Sequence, residues 1–397
     1  MATGKTNAIS VSGGGGFPPV PSVTNVAVGS TGVLTFTAGD YSDLSDYSPS
    51  ISYLVDINNG AFNLTTNTTS LDVSYYLSEG SNTIKVTTKA VLTATEQSGG
   101  TIQVVQYSLP AQSITILENQ LNSEFSMHSI NCTSIGTDIY IISGQRVGYT
   151  SLSFKIYLFD TLTETTTTMN SEIAIKNCAI LPLNTNIYLL GGYSSSYKNT
   201  IYIYDTTSDT ITTLQTTLPN GLAYMGYGIV GTTIYLLGGQ MNSTNNGNTD
   251  MIISYDTTSD TITTLQTTLP TPRYAMGSAT IGDKIYLFGG YNPYTYYRNV
   301  IIYDTTNDSV STINMNYVSN VFYFLSASAI NTNIFIFCDN GSSKSIYLFD
   351  TLTNSGSKLT LQAPYNLTKV ASTTVSNSIY IFGNDNAYAK QILKFKR

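Results

Sequence analysis

Apolar residues fall along this chain in short runs set among Thr, Ser and Asn, which is the patterning of strands rather than helices. Over residues 22–109 the clearest runs are Val33-Leu34-Thr35-Phe36, Ile51-Ser52-Tyr53-Leu54-Val55 and Ile84-Lys85-Val86-Thr87. Turn residues separate them, as at Asn58-Asn59-Gly60 and Glu79-Gly80-Ser81-Asn82. About seven short strands in about 90 residues predict a β-sandwich.

From about residue 112 the pattern repeats. One phrase recurs six times: I-Y-I-I-S-G at 139–144, I-Y-L-L-G-G at 187–192 and at 234–239, I-Y-L-F-G-G at 285–290, I-F-I-F-C-D at 334–339 and I-Y-I-F-G-N at 379–384. The steps are 48, 47, 51, 49 and 45 residues. After each copy comes an apolar strand that ends on aromatic-Asp, at Asp160, Asp205, Asp256, Asp304 and Asp350, and in the sixth copy on Phe395-Lys396. The segment Y-D-T-T-S-D-T-I-T-T-L-Q-T-T-L-P stands unchanged at 204–219 and 255–270. Four short strands per unit at this period mark the blades of a β-propeller.

The phrases resemble the kelch family, most closely in L-P-T-P-R-Y-A-M-G-S-A-T-I-G-D-K-I-Y-L-F-G-G at 269–290. The resemblance covers roughly 112–397 and implies a six-bladed propeller. The fourth-strand Trp of that family is absent, and Ile211, Ile262 and Val310 stand near its place. The first and fifth copies lack one or both glycines. The last copy stops after its third strand, while Q-S-I-T-I-L-E-N-Q-L at 112–121 resembles the outer-strand phrase D-T-I-T-T-L-Q-T-T-L. Residues 112–119 are therefore expected to complete the last blade and remove an open edge. Similarly, L-S-E-G-S-N-T-I-K-V-T at 77–87 resembles the corner before a late strand in fibronectin type III and bacterial immunoglobulin-like domains, without their Trp and corner Tyr. The expected plan is an all-β chain: an attachment arm and Gly/Pro linker over 1–21, a sandwich over 22–109 and a propeller over 112–397.

Composition fits that plan. Charged residues make up 10% of the 397, with 31 Tyr and no Trp, and β-branched and aromatic residues favour strands. The net charge is −7, and the scattered Lys and Arg form none of the clusters that a nucleic-acid groove needs. No apolar run is long enough to span a membrane. Cys132, Cys178 and Cys338 are odd in number and lack C-x-x-C spacing, so they are expected to be buried strand residues without disulfides. The first sixteen residues, ending in G-G-G-G, have no apolar segment of a secretory signal. An extracellular-looking composition without such a signal suggests a particle component released by lysis.

Few residues offer catalytic chemistry. A lone His128 cannot build a multi-histidine metal site, and no G-x-S-x-G elbow, P-loop or dinucleotide fingerprint occurs. No cofactor is expected. Asp40, Asp43 and Asp46 have a spacing that suits Ca²⁺ or simply a solvated loop. The repeated Asp-Thr after each third strand suits turn capping.

The loops carry the better lead. The resemblance implies that one face of the disc holds the loops from second to third and from fourth to first strand, which are long here, whereas the opposite turns are short. On that face Tyr291, Asn292, Tyr294, Tyr296, Tyr297 and Arg298 crowd the fourth blade's loop, with Tyr193, Tyr197 and Lys198 in the second and a polar loop at 240–250 in the third. Tyrosine brings large contact area at low entropic cost. Together with Arg273 these form the candidate ligand-binding set.

Three readings are open. The first is a non-enzymatic attachment protein of a phage or phage-like particle, a tail fibre or baseplate component at the virion surface. Its arm would bind other particle proteins, and its propeller a host receptor, glycan or protein; self-association and an extracellular or cell-surface location belong to the same expectation. The second is a structural decoration protein of a capsid or tail. The third is a sugar-acting propeller enzyme, which would need charges converging on the channel, from Arg146, Arg273 or Arg298.

Overall fold

A computed structural model describes the strands between Thr24 and Leu109 and, beyond them, residues 113–117, 130–142, 155–242, 247–315, 323–339, 344–364, 367, 370–383 and 392–396. The arm at 1–21, Asp40, Asp43, Asp46, His128 and Arg146 lie outside these residues. The chain divides into two compact units, one up to Gln112 and one over Ser113–Lys396.

Among the described residues the first unit contains eight strands in two antiparallel sheets. One joins Thr24–Val28, Val33–Thr37 and Ser70–Asp72; the other is built on Ser50–Ile57 and the long Gly80–Leu92. Gly80, Ser81 and Asn82, read from sequence as a turn, instead begin that long strand and pair with Leu109, Ser108 and Tyr107. The partner strand supplies backbone hydrogen bonds that local turn preference cannot match.

The second unit is a six-bladed β-propeller. Each blade is a four-stranded antiparallel meander. In blade 2 the strands are Ala179–Leu183, Asn186–Leu190, Thr200–Asp205 and Thr210–Thr217, from the channel outward. Blades 1, 3, 4 and 5 repeat this order from Asn131, Gly226, Gly277 and Tyr323. Blade 6 takes Ala371–Val375, Ser378–Phe382 and Ile392–Lys396 from the end of the chain, and its outer strand is Ser113–Leu117, with Ile114 opposite Phe395 and Ile116 opposite Leu393.

Period-two alternation gives every blade two apolar faces, and each joins a cluster shared with a neighbour. Ile139 and Ile141 of blade 1 pack with Tyr380 and Phe382 of blade 6; Tyr140 and Ile142, one residue out of phase, pack with Ile187, Leu189 and Tyr204 of blade 2. The same occurs between blades 2 and 3, 3 and 4, 4 and 5, and 5 and 6. Ile211, Ile262 and Val310, at the place of the missing Trp, sit half-buried against these clusters.

The Asp-Thr turns are structural. Asp205 Oδ1 accepts from Thr207 N at 2.8 Å and Ser208 N at 3.2 Å, and Asp160, Asp256 and Asp304 repeat this. A second acid escaped the sequence reading. Asp209, Asp260 and Asp308, four residues further on, adopt left-handed backbone and accept the hydroxyls of buried Tyr204, Tyr255 and Tyr303 at 3.0, 2.8 and 3.0 Å. Asp209 also takes the backbone N–H groups of Asn170 and Ser171 on the preceding blade's outer strand. The corresponding pairs in blades 1 and 5 are Phe159 with Glu164 and Phe349 with Asn354, so where the phenol is missing the acid is missing or lengthened.

The inner strands surround a channel of about 350 Å³. Its wall is small and hydroxyl-bearing, as at Ser134, Ser278, Ser328 and Ser372, and among the described residues no Asp, Glu, Lys, Arg or His lines it. Cys132 lies in an inner strand, Cys178 just before one rather than within it, and Cys338 in the second strand of blade 5. Cys132 and Cys178 are free and buried. Burial pushes the Cys178 thiol up to about 12 and the Cys132 thiol up as well, which makes both poor nucleophiles.

Replacing Ser113–Leu117 by a Gly/Ser linker of equal length bares the edge of Ile392–Lys396 and removes Leu117 from the cluster between blades 6 and 1. The expected outcome is aggregation in light scattering; a monodisperse variant with unchanged melting temperature would show that closure needs no fourth strand. A second prediction comes from Asp138, which stands opposite Asp160 where blade 4 has the ion pair of Lys284 and Asp304. Burial and then the Asp160 charge raise the Asp138 carboxyl. A raised carboxyl destabilises the fold once it is ionised, so the cost is present at neutral pH and disappears as pH falls below its range. Asp138→Asn should raise the melting temperature at pH 7 by about 1–2 °C and make no difference near pH 3; equal effects at both values would refute the charge argument.

Candidate ligand-binding face

The long loops gather on the face opposite the tight turns. In blades 2, 3 and 4 the loop between second and third strands pairs with the loop that enters the same blade, through bridges of Lys176 with Tyr193, Ala223 with Gln240 and Tyr274 with Tyr291. The residue after each entering bridge is left-handed: Asn177, Tyr224 and Ala275, at φ of 56°, 58° and 56°. A tyrosine or alanine in this region costs about 1–2 kcal/mol. Contacts from blade to blade hold it, since Tyr224 N donates to Asn177 O at 3.0 Å and Ala275 N to Tyr224 O at 2.9 Å. The Gly-Gly pairs make room for these loops. Gly192 has φ of +98°, and a Cβ there would meet Ile175 at 2.7 Å and Cys178 at 2.9 Å.

The scaffold brings tyrosines from three consecutive blades together. Tyr193 and Tyr197 meet edge to face at 5.2 Å. Tyr224 meets Tyr274 at 6.0 Å, Tyr274 meets Tyr291 at 4.1 Å, and Tyr291 stacks on Tyr296 at 5.4 Å with planes 24° apart. Burial is the main reason that the hydroxyls of Tyr197, Tyr224 and Tyr274 titrate above the ordinary phenol range, and the nearby tyrosines add to it. These three hydroxyls therefore keep their protons at neutral pH. Lys176 lies over the Tyr193 ring at 5.6 Å, and Lys198 and Arg298 stand at the belt's margins; none of the three has an ion-pair partner among the described residues.

The candidate residues fall into two groups. Tyr294 and Tyr296, 77% and 49% exposed, and Arg298 are open to solvent, while Tyr193, Tyr197, Lys198, Tyr291 and Tyr297 are half-buried. Asn292 is occupied inside the Tyr291–Tyr296 hairpin, where Oδ1 accepts from Tyr294 N and Thr295 N and Nδ2 donates to Tyr297 Oη at 2.7 Å. Arg273 needs correction: only 1% exposed, it is a post under the surface, not a ligand contact. Its guanidinium lies 3.7 Å from the Tyr297 ring centroid and donates to Gly289 O, Asn299 Oδ1 and Thr271 Oγ1 at 3.3, 2.8 and 2.6 Å. Burial lowers its pKa to about 10, so it stays charged at neutral pH. The ring of Tyr297 covers it. Tyr224 and Tyr274 were missed. Their only sequence signal is their place just before the inner strand.

These features define a kelch-type propeller with a tyrosine-rich loop face. The family profile described as the KLHDC2/KLHL20/DRC7 Kelch-repeats domain matches residues 127–338, more than half of the chain. The chain belongs to this kelch-repeat family, and its propeller is by that membership an interaction module. No curated protein matches the chain.

Arg273→Ala leaves the Tyr297 ring unsupported and takes the donor from one buried and two half-buried acceptors, which should cost about 2–4 kcal/mol in thermal unfolding followed by circular dichroism. Arg273→Lys should recover only part of this, because an ammonium lacks the planar fork. A loss under about 0.5 kcal/mol for the alanine variant would remove Arg273 as the support of this hairpin.

Proposed function

We propose that the protein is a non-enzymatic attachment protein of a phage or phage-like particle, and that its propeller binds a receptor on the host surface through the loop face of blades 2–4. The carrying observation is the belt from Tyr193 to Tyr296, which gathers aromatic side chains of three blades on one rigid face. Rigid aromatic contacts lose little entropy on binding. A binding role, as against sugar-processing chemistry, is further supported by the uncharged channel wall and the absence of metal-ligand clusters among the described residues. Particle attachment itself rests on the order of segments in the sequence, with the arm over 1–21 and the sandwich over 22–109 as the docking and spacing parts. Kelch propellers serve many functions, so the fold alone does not choose between partners.

One observation favours the decoration reading instead. Leu162 and Leu352, 77% and 55% exposed, sit in the turns of the opposite face in blades 1 and 5, where blades 2, 3 and 4 carry Thr207, Thr258 and Thr306. Two exposed leucines at matching positions suit contact with other particle subunits.

The two readings separate in one experiment. Fluorescently labelled protein is incubated with candidate host cells beside a Tyr291→Ala/Tyr296→Ala variant and a Leu162→Thr/Leu352→Thr variant. The attachment reading expects binding that falls at least tenfold in the tyrosine variant and persists in the leucine variant. Binding that ignores the tyrosines, or no binding to cells whose adsorption of the particle is intact, refutes it.

A further inference from the structure

A cleft of about 370 Å³ opens on the loop face between blades 2 and 3. Tyr193, Ser195, Ser196 and Tyr197 form one wall, Met241 and Asn242 the other, with Gly221 between them. We propose that this cleft is a subsite for a neutral hexose-type glycan, one or two rings long, an inference that rests on the face proposed above as the receptor contact.

Lining chemistry selects the ligand class. Among the described residues the cleft is lined by aromatic faces, two serine hydroxyls, a carboxamide and a thioether, and by no charged side chain. An ionised ligand would give up hydration against that uncharged lining, and Lys176, 5.6 Å from the Tyr193 ring centroid, is engaged with the ring. A neutral hexose offers C–H bonds on its ring face and hydroxyls around its rim, each hydroxyl both donor and acceptor. Ser195 and Ser196 hydroxyls and the Asn242 amide have that same dual character. The size lies near the lower end of small-ligand pockets, too short for an extended peptide.

The aromatic walls are already in place. Tyr193 and Tyr197 stand with planes 78° apart, which makes a corner of two ring surfaces. Tyr197 Oη donates to Gln240 Oε1 of the next blade at 2.8 Å. The loop between the rings is closed by Ser194 N donating to Ser196 O at 3.1 Å and Lys198 N donating to Gly192 O at 2.8 Å. Gly221 allows Tyr197 to sit where it does, because a Cβ at 221 would meet the Tyr197 carbonyl oxygen at 2.5 Å and carbonyl carbon at 2.8 Å. A preformed corner spares the ligand the cost of ordering it.

The test is saturation-transfer NMR and calorimetry on the full chain with neutral disaccharides of glucose, galactose and N-acetylglucosamine, beside sialylated and uronic acid counterparts. Transfer to ring C–H protons of at least one neutral sugar is expected, with weaker or no transfer to the acidic ones. Tyr197→Ala and Gly221→Ala should each weaken binding at least tenfold. Tyr197→Phe keeps the ring and loses only the tie to Gln240, so it should weaken binding severalfold at most; it also guards against misfolding of the other variants. Absence of transfer to every neutral sugar, preference for the acidic set, or binding indifferent to both Tyr197→Ala and Gly221→Ala overturns the subsite. The reading of the face is scored separately by adsorption to cells. Tyrosine-dependent adsorption that survives periodate oxidation of cell-surface glycans would keep the face as a receptor contact and remove the glycan.

Discussion

The structure depends on one packing constraint. A blade whose strands alternate at period two carries apolar side chains on both faces, and neither face can meet water at reasonable cost. Burying Ile139 and Ile141 requires blade 6; burying Tyr140 and Ile142 requires blade 2. Every blade passes the same demand to the next, so only a closed ring satisfies all six. The sequence distance that closure must span is therefore nearly the whole second unit, from Ser113 to Lys396, and the joint is an ordinary antiparallel ladder. Stability of the loop face is for this reason a property of the ring, not of the loops that form it.

Around that core, two sets of polar contacts fix the blades against sliding. On the tight-turn side, Asp209 and its equivalents couple a buried phenol to the next turn and, in the best developed case, to the preceding blade's outer strand. On the loop side, left-handed residues at 177, 224 and 275 pass a backbone hydrogen bond from blade to blade. Both devices are found in blades 2–4, which also carry the tyrosine belt. Blades 1 and 5 have Phe159 and Phe349 in place of the clamping tyrosines. Rigidity and aromatic surface thus coincide in one half of the disc.

The architecture was legible because it is written six times. Phase, blade number and the turn-capping role of Asp205 and Asp256 follow from repetition and from local hydrogen-bonding chemistry, and the outer-strand phrase at 112–121 falls where Ser113–Leu117 pairs with the chain's last strand. The site was legible only in part. Crowding of Tyr291, Tyr294, Tyr296 and Tyr297 in eight residues announces an aromatic loop, but Tyr224 and Tyr274 come from other loops and join it only in three dimensions. Arg273 shows the opposite error. Its burial depends on a ring 24 positions away, and no local pattern reports that distance. Gly80 failed for a related reason, since strand pairing outweighed its turn propensity.

Many tyrosines here are structural, and the distinction decides which surface can recognise anything. Tyr204, Tyr255 and Tyr303 are fully buried and their hydroxyls are committed to Asp209, Asp260 and Asp308; they hold blades together. Tyr193, Tyr197, Tyr291 and Tyr296 retain exposed ring area while their backbones are pinned by the bridges to Lys176 and Tyr274 and by the tight loop turns. A side chain that is wet on one face and fixed on the other has little left to lose when a partner arrives. Mobile lysines at the same positions would bring charge and entropy cost instead. On this face the ring supplies the order, and the aromatic side chains supply the surface that order makes useful.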